Sequence, residues 1–94
     1  MTGFVKDPDA TLDYGFDWSR WLQPNETISS SEWIVPDDLN IVDSTFDTFG
    51  QTVVWLSGGQ SGGRPYKITN RITTNSSPVP RVEDRSFTLR IREK

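Results

Sequence analysis

Tyr66-Lys67-Ile68-Thr69-Asn70-Arg71-Ile72-Thr73 carries the plainest secondary-structure signal in this 94-residue chain. Tyr66, Ile68, Asn70 and Ile72 alternate with Lys67, Thr69, Arg71 and Thr73, a period of two that sends one set to each face of a β-strand. The Gly-rich corner Gly58-Gly59-Gln60-Ser61-Gly62-Gly63-Arg64-Pro65 leads into the run, and Asn75-Ser76-Ser77-Pro78-Val79-Pro80 forms a loop after it. Beyond that loop Phe87, Leu89 and Ile91 alternate with Thr88, Arg90 and Arg92. The last two strands are therefore expected to pair antiparallel as a hairpin with a long loop.

Upstream, Thr52-Val53-Val54-Trp55-Leu56-Ser57 is nearly all apolar, as a central strand between layers would be. Leu39 to Phe46 reads as another strand, with Leu39 and Ile41 on one face, and Glu26 to Val35 as the one before it. Between these two, Pro36-Asp37-Asp38 is a turn, because Pro fixes φ and Asp can bond its own backbone. Helix signals are poor throughout, since Gly and Pro recur and Thr, Ser, Val and Ile fill the stretches between them. Short strands at roughly ten-residue intervals predict an all-β fold, a small sandwich of about five to seven strands. Tyr66, after a Gly-rich corner at the start of the penultimate strand, stands where an immunoglobulin-type tyrosine corner would; whether it is that or an ordinary core aromatic, it faces inward.

A chain of this length makes one domain, and with hydrophobic residues at 33% the core must be small and built from large side chains. Four Trp, two Tyr and five Phe concentrate the apolar area in rings, which suits a thin two-layer architecture. The absence of cysteine removes disulfides, thiolate catalysis and cysteine metal sites; the absence of histidine removes the usual nucleophile systems and neutral-pH proton shuttles. Most enzyme classes are disfavoured at once. No apolar run is long enough to cross a bilayer, and the start has neither a basic n-region nor an apolar h-region, so a soluble, untargeted chain is expected.

The net charge of -3 hides an asymmetry. Through Phe49 ten acids face only Lys6 and Arg20, a balance of -8, whereas from Gly50 onward eight bases face Glu83, Asp84 and Glu93, a balance of +5. Halves of opposite sign can attract within a molecule or between neighbours. If the alternation in the last two strands holds, Lys67, Arg71, Arg90 and Arg92 share an outer face. That face is either a solvated surface kept from edge aggregation by charge or the receiver of an acidic aromatic segment. Specific nucleic-acid binding is not expected of an acidic domain.

Such a segment exists at the start, from Lys6-Asp7-Pro8-Asp9-Ala10 to Trp18-Ser19-Arg20-Trp21-Leu22. Taken as a whole it sustains neither a strand period nor a helical stripe, and it is read as an extended attachment leader over residues 1–24, ahead of a sandwich over 25–94. Tyr14, Phe16, Trp18 and Trp21, with Asp13 and Asp17 between them, are the expected protein-contact residues, seconded by Arg71, Arg90 and Arg92. Asp7, Asp9 and Asp13 approach the spacing of an EF-hand loop, but Leu12 replaces the required Gly and Trp18 the bidentate Glu, so no metal or other cofactor is expected. A glycosidase pair of carboxylates would need a cleft that a small sandwich does not offer. Trp33 and Trp55, inside strands, are expected in the core. Asn25-Glu26-Thr27 and Asn75-Ser76-Ser77 match the glycosylation triplet by chance.

Several blocks taken together resemble a family. They are Lys6 to Ala10 with Leu12 to Trp18, Val54-Trp55-Leu56-Ser57-Gly58-Gly59, Tyr66 to Thr74, and Asp84-Arg85-Ser86 with Leu89 to Lys94. In this order they resemble small structural proteins of tailed bacteriophages, described as fiber-tail adaptor or neck-associated proteins with an immunoglobulin-like β-sandwich. The resemblance runs over nearly the whole chain; the loop from Asn75 to Glu83 departs from it, with two prolines where the family often has a Gly-containing turn. It implies a virion component without catalytic role, assembled in the host cytoplasm, in many copies around a symmetric ring, touching other tail, neck or fiber proteins and no membrane. A capsid decoration protein would share these features. A carbohydrate-binding module, the rival of another class, would need exposed coplanar rings, with Trp18 and Trp21 as its candidates.

Overall fold

The computed structural model describes residues 2–62 and 64–92; Met1, Gly63, Glu93 and Lys94, read above as part of the leader, the Gly-rich corner and the final block, lie outside the described residues. Among the described residues there are seven strands and no helix: β1 (Thr2–Lys6), β2 (Leu12–Asp17), β3 (Ile28–Ile34), β4 (Leu39–Phe46), β5 (Gln51–Gly58), β6 (Tyr66–Thr74) and β7 (Val82–Ile91). They build two sheets, ordered β1-β7-β6-β3 and β2-β5-β4. The expected all-β sandwich is the fold found. The division of β7-β6-β3 from β2-β5-β4 resembles that of immunoglobulin-type sandwiches, whose strands G, F and C oppose B, E and D.

Local chemistry places the strands much as their sequences dictate. β6 and β7 pair antiparallel from Tyr66↔Leu89 to Thr73↔Val82, closing the expected hairpin over its long loop. The Pro36 turn closes through the Leu39 N–H donating to the Pro36 carbonyl at 3.1 Å. Asp47 accepts three backbone N–H groups, from Phe49, Gly50 and Gln51, and so folds the β4–β5 turn around its carboxylate.

The N-terminal segment departs from the expectation. Residues 2–22 are not an extension ahead of a sandwich beginning at 25: β1 pairs in parallel with β7, and β2 pairs antiparallel with β5. One strand goes to each sheet. The physical reason lies in residues 12–18, where Leu12, Tyr14, Phe16 and Trp18 alternate with Asp13, Gly15 and Asp17, a strand pattern that the turn at Asp7 to Ala10 obscures. Gly15 interrupts the alternation because a Cβ there would meet the Thr52 carbonyl oxygen at 2.3 Å.

Between the sheets lies a core of Trp33, Leu39, Val54, Leu56, Ile68, Phe87, Leu89 and Ile91, with Tyr14, Phe16 and Tyr66 packed against it. A second cluster joins Trp18, Ile28 and Ile72 to Phe16, Trp21 and Leu22. Burying a large apolar side chain of this kind stabilises by about 1.5–3 kcal/mol, so the N-terminal rings supply a substantial part of a small core.

Candidate interaction surfaces

The rings expected to form a contact surface face inward. Trp18 is wholly buried and donates its indole N–H to Asn70 Oδ1 at 2.9 Å. The same oxygen accepts the Thr52 hydroxyl at 2.8 Å, while the Asn70 amide donates to Ser31 Oγ and the Glu32 carbonyl. Asn70 is thus a fully engaged polar hub linking both sheets, and the interior polar position in the β6 alternation is explained. The Arg85 guanidinium covers the outer side of Trp18 at 4.2 Å and donates to the Asp17 carbonyl. Tyr14 and Phe16 pack on Phe87 at 5.2 and 5.9 Å between ring centres.

Trp21 is held the same way. Arg81 stacks over its ring at 3.8 Å, donates to its carbonyl, and grips both oxygens of Glu26. The hydrogen bond from Arg81, with those from the Gln23 N–H and the Thr74 hydroxyl, holds the Glu26 carboxyl down to about 2. A carbohydrate platform would need Trp18 and Trp21 bare. Protein side chains cover both.

The outer face of the four-stranded sheet carries Lys67, Arg71 and Arg90, as the alternation predicts, but it is not simply cationic. Arg71 sits in register between Glu32 on β3 and Asp84 on β7, and its guanidinium meets both Asp84 oxygens at 2.8 and 3.0 Å. The pair holds the Asp84 carboxyl below its ordinary range and raises Arg71. The N-terminal segment does not lie across this face; β1 joins the same sheet at its edge, with Val5 beside Arg90. Arg92 is exposed just past β7, its N–H donating to the Lys6 carbonyl.

The three-stranded sheet presents the opposite face, which the sequence reading missed. Trp55, expected in the core, is 40% exposed on its outer side. In register it lies between Asp13 on β2 and Asp43 on β4, both exposed, with Asp17 farther along β2. Strands β2, β4 and β5 contain no Lys or Arg. The charge reversal along the chain has become a difference between the two sheets.

Residues 6–90, from the last residue of β1 almost to the end of β7, match the family model of the podophage GP4 fiber-tail adaptor protein gp77. The chain belongs to this adaptor family. No curated protein and no solved structure gives a significant match to it. The fiber-tail adaptor match takes in every strand except the first four residues of β1 and the last of β7, so the family pattern is that of the whole sandwich, the N-terminal rings included. Its first matched residue, Lys6, is fully buried and donates through Nζ to the Asp7 and Gly58 carbonyls, each at 2.8 Å. Burial lowers the pKa of this amine, against the pull of Asp7 and Asp9.

Two exposed features lie at the end where β4 turns into β5. Phe49, at the tip of that turn, is 82% exposed. It borders an open groove of about 490 Å³ that Leu22, Pro24 and Thr27 also line.

Proposed function

We propose that this protein is a non-enzymatic structural piece of the phage virion, assembled in the host cytoplasm, that joins tail or neck components to fibers by protein–protein contact, in several copies around a symmetric ring. The observation that carries this reading is the family match over residues 6–90. The chemistry of the chain supports it: with neither His nor Cys it lacks the commonest acid–base and nucleophilic side chains, and the carboxylates of Glu26, Asp47 and Asp84 hold strand pairs and turns together. Its dimensions, 47 × 21 × 20 Å, suit a spacer with long exposed flanks.

Of the residues proposed for contacts, Asp13, Asp17, Arg90 and Arg92 are exposed and take that role directly. Arg71 reaches the surface paired to Asp84. Tyr14, Phe16, Trp18 and Trp21 act from within, by fixing β2 and the turn after it so that the acids between them are presented outward.

Genetic depletion tests the proposal. Phage made without this protein should carry tails but no attached fibers, and supplying the protein from a plasmid should restore them. Particles with a full set of fibers in its absence would overturn it.

A further inference from the structure

Strand β4 is one edge of the three-stranded sheet, and beyond Leu39 every one of its residues, on either face, is exposed. Its exposed apolar side chains are Ile41, Val42 (58% exposed) and Phe46, a run continued by Phe49 at the turn. Protein edges are ordinarily guarded by charged side chains, Lys above all, by Pro, by a bulge or by shortness; β4 carries one charge, Asp43, and one bulge. β4 has no Lys and no Pro; its bulge between Ile41 and Asp43 is followed by regular pairing from Asp43 to Phe46. Such an edge can take an additional strand.

Charge identifies the strand it takes. An incoming segment would lie beside Asp43, with Trp55 and Asp13 next in the row, on a sheet without a single Lys or Arg. A second copy of this chain is a poor complement. Joining β4 to β4 would extend one anionic face with another, and the other edge strands offer no exposed base: Lys6 of β1 is buried, β2 is acidic and β3 carries only Glu32.

Resting on the adaptor reading, we infer that β4 is the docking edge for a different virion protein, which adds an extended segment alternating Lys or Arg with apolar residues. The cationic side chains of that segment meet Asp43 and the face of Trp55, and its apolar side chains cover Ile41, Val42 and Phe46 on the core side.

The test uses the full chain and a synthetic heptapeptide alternating Lys and Val, with a Glu-Val peptide as control. Amide NMR should show shifts and slowed exchange confined to β4 and the Trp55 indole with the Lys-Val peptide alone. Added salt should weaken that binding, and Asp43→Lys should weaken it by about tenfold. Because salt acts on the unaltered protein, the result does not depend on the variant folding. Equal binding of the Glu-Val peptide, shifts centred on another edge, or no shifts at all would overturn the inference. So would concentration-dependent self-association that protects β4. The depletion experiment stands apart: fiberless particles together with a silent β4 would sink this inference and leave the adaptor reading intact.

Discussion

Trp18 and Asn70 are hydrogen-bonded at 2.9 Å across 52 residues of chain, and neither side chain touches solvent. This bond fixes the end of β2 to the middle of β6, so the N-terminal segment is held by the interior of the sandwich. What looks in the sequence like an adhesive arm is part of the wall of the sandwich.

Trp18→Ala should therefore cost about 3–5 kcal/mol of folding stability, and Trp18→Phe, which keeps most of the ring but loses the donor, about 1–2 kcal/mol. Combined with Asn70→Ala, the double variant should lose less than the sum of the single losses, because the two side chains share one network. Urea unfolding measures all of these. A Trp18→Ala protein as stable as the parent would place the ring on the surface after all.

Removing residues 1–22 deletes β1 and β2, one strand from each sheet, and uncovers Val54 and Leu56 on β5. The shortened chain should lose its cooperative unfolding transition and the dispersed amide spectrum of a packed domain. A truncated protein with an unchanged spectrum would contradict the fold described for the N-terminal segment.

Acid should act through Glu26. Its carboxyl, ordinarily near 4.5, is held at about 2 chiefly by the hydrogen bond from Arg81. A carboxyl whose value is lower folded than unfolded contributes stability in full above the unfolded value and loses it as pH falls through the folded one. Stability should accordingly decline between about 4.5 and about 2. Glu26→Gln should flatten that part of the profile, read as unfolding midpoint against pH. A wild-type profile already flat over this window would contradict the role given to the pair.

Tyr14 offers a change in the opposite direction. Its hydroxyl is buried without a hydrogen-bond partner, and burial, then the charge of Asp13, pushes its pKa up. Tyr14→Phe keeps the ring contacts with Phe4 and Phe87 and removes the unsatisfied group, so a gain of about 1 kcal/mol is expected. A comparable loss in thermal or urea unfolding would mean that the hydroxyl is bonded.

The fold was legible where one strand face is polar and the other is not. β6 and β7 show a period of two, and β4 begins at a turn that Pro36 and its neighbours announce, so these elements and the hairpin follow from residue type alone. The same signal was present from Leu12 to Trp18, but reading it together with Asp7 to Ala10 broke the period, and carboxylates on the outer face of a strand passed for those of a solvated leader. Trp55 was illegible for another reason: in Val53-Val54-Trp55-Leu56 no alternation marks a face, and only the uncovered outer side of the three-stranded sheet decides that the ring points out. Buried Lys6 and Glu26 have partners 52 and 55 residues away, a distance no local pattern spans.

Imaging of the intact virion with an antibody or density-bearing tag on this protein separates a place between tail and fiber from every other location. The β-sandwich should appear at the junction of tail and fiber, in several copies around the tail axis. Density confined to the capsid shell, or absent from the finished particle, would contradict it.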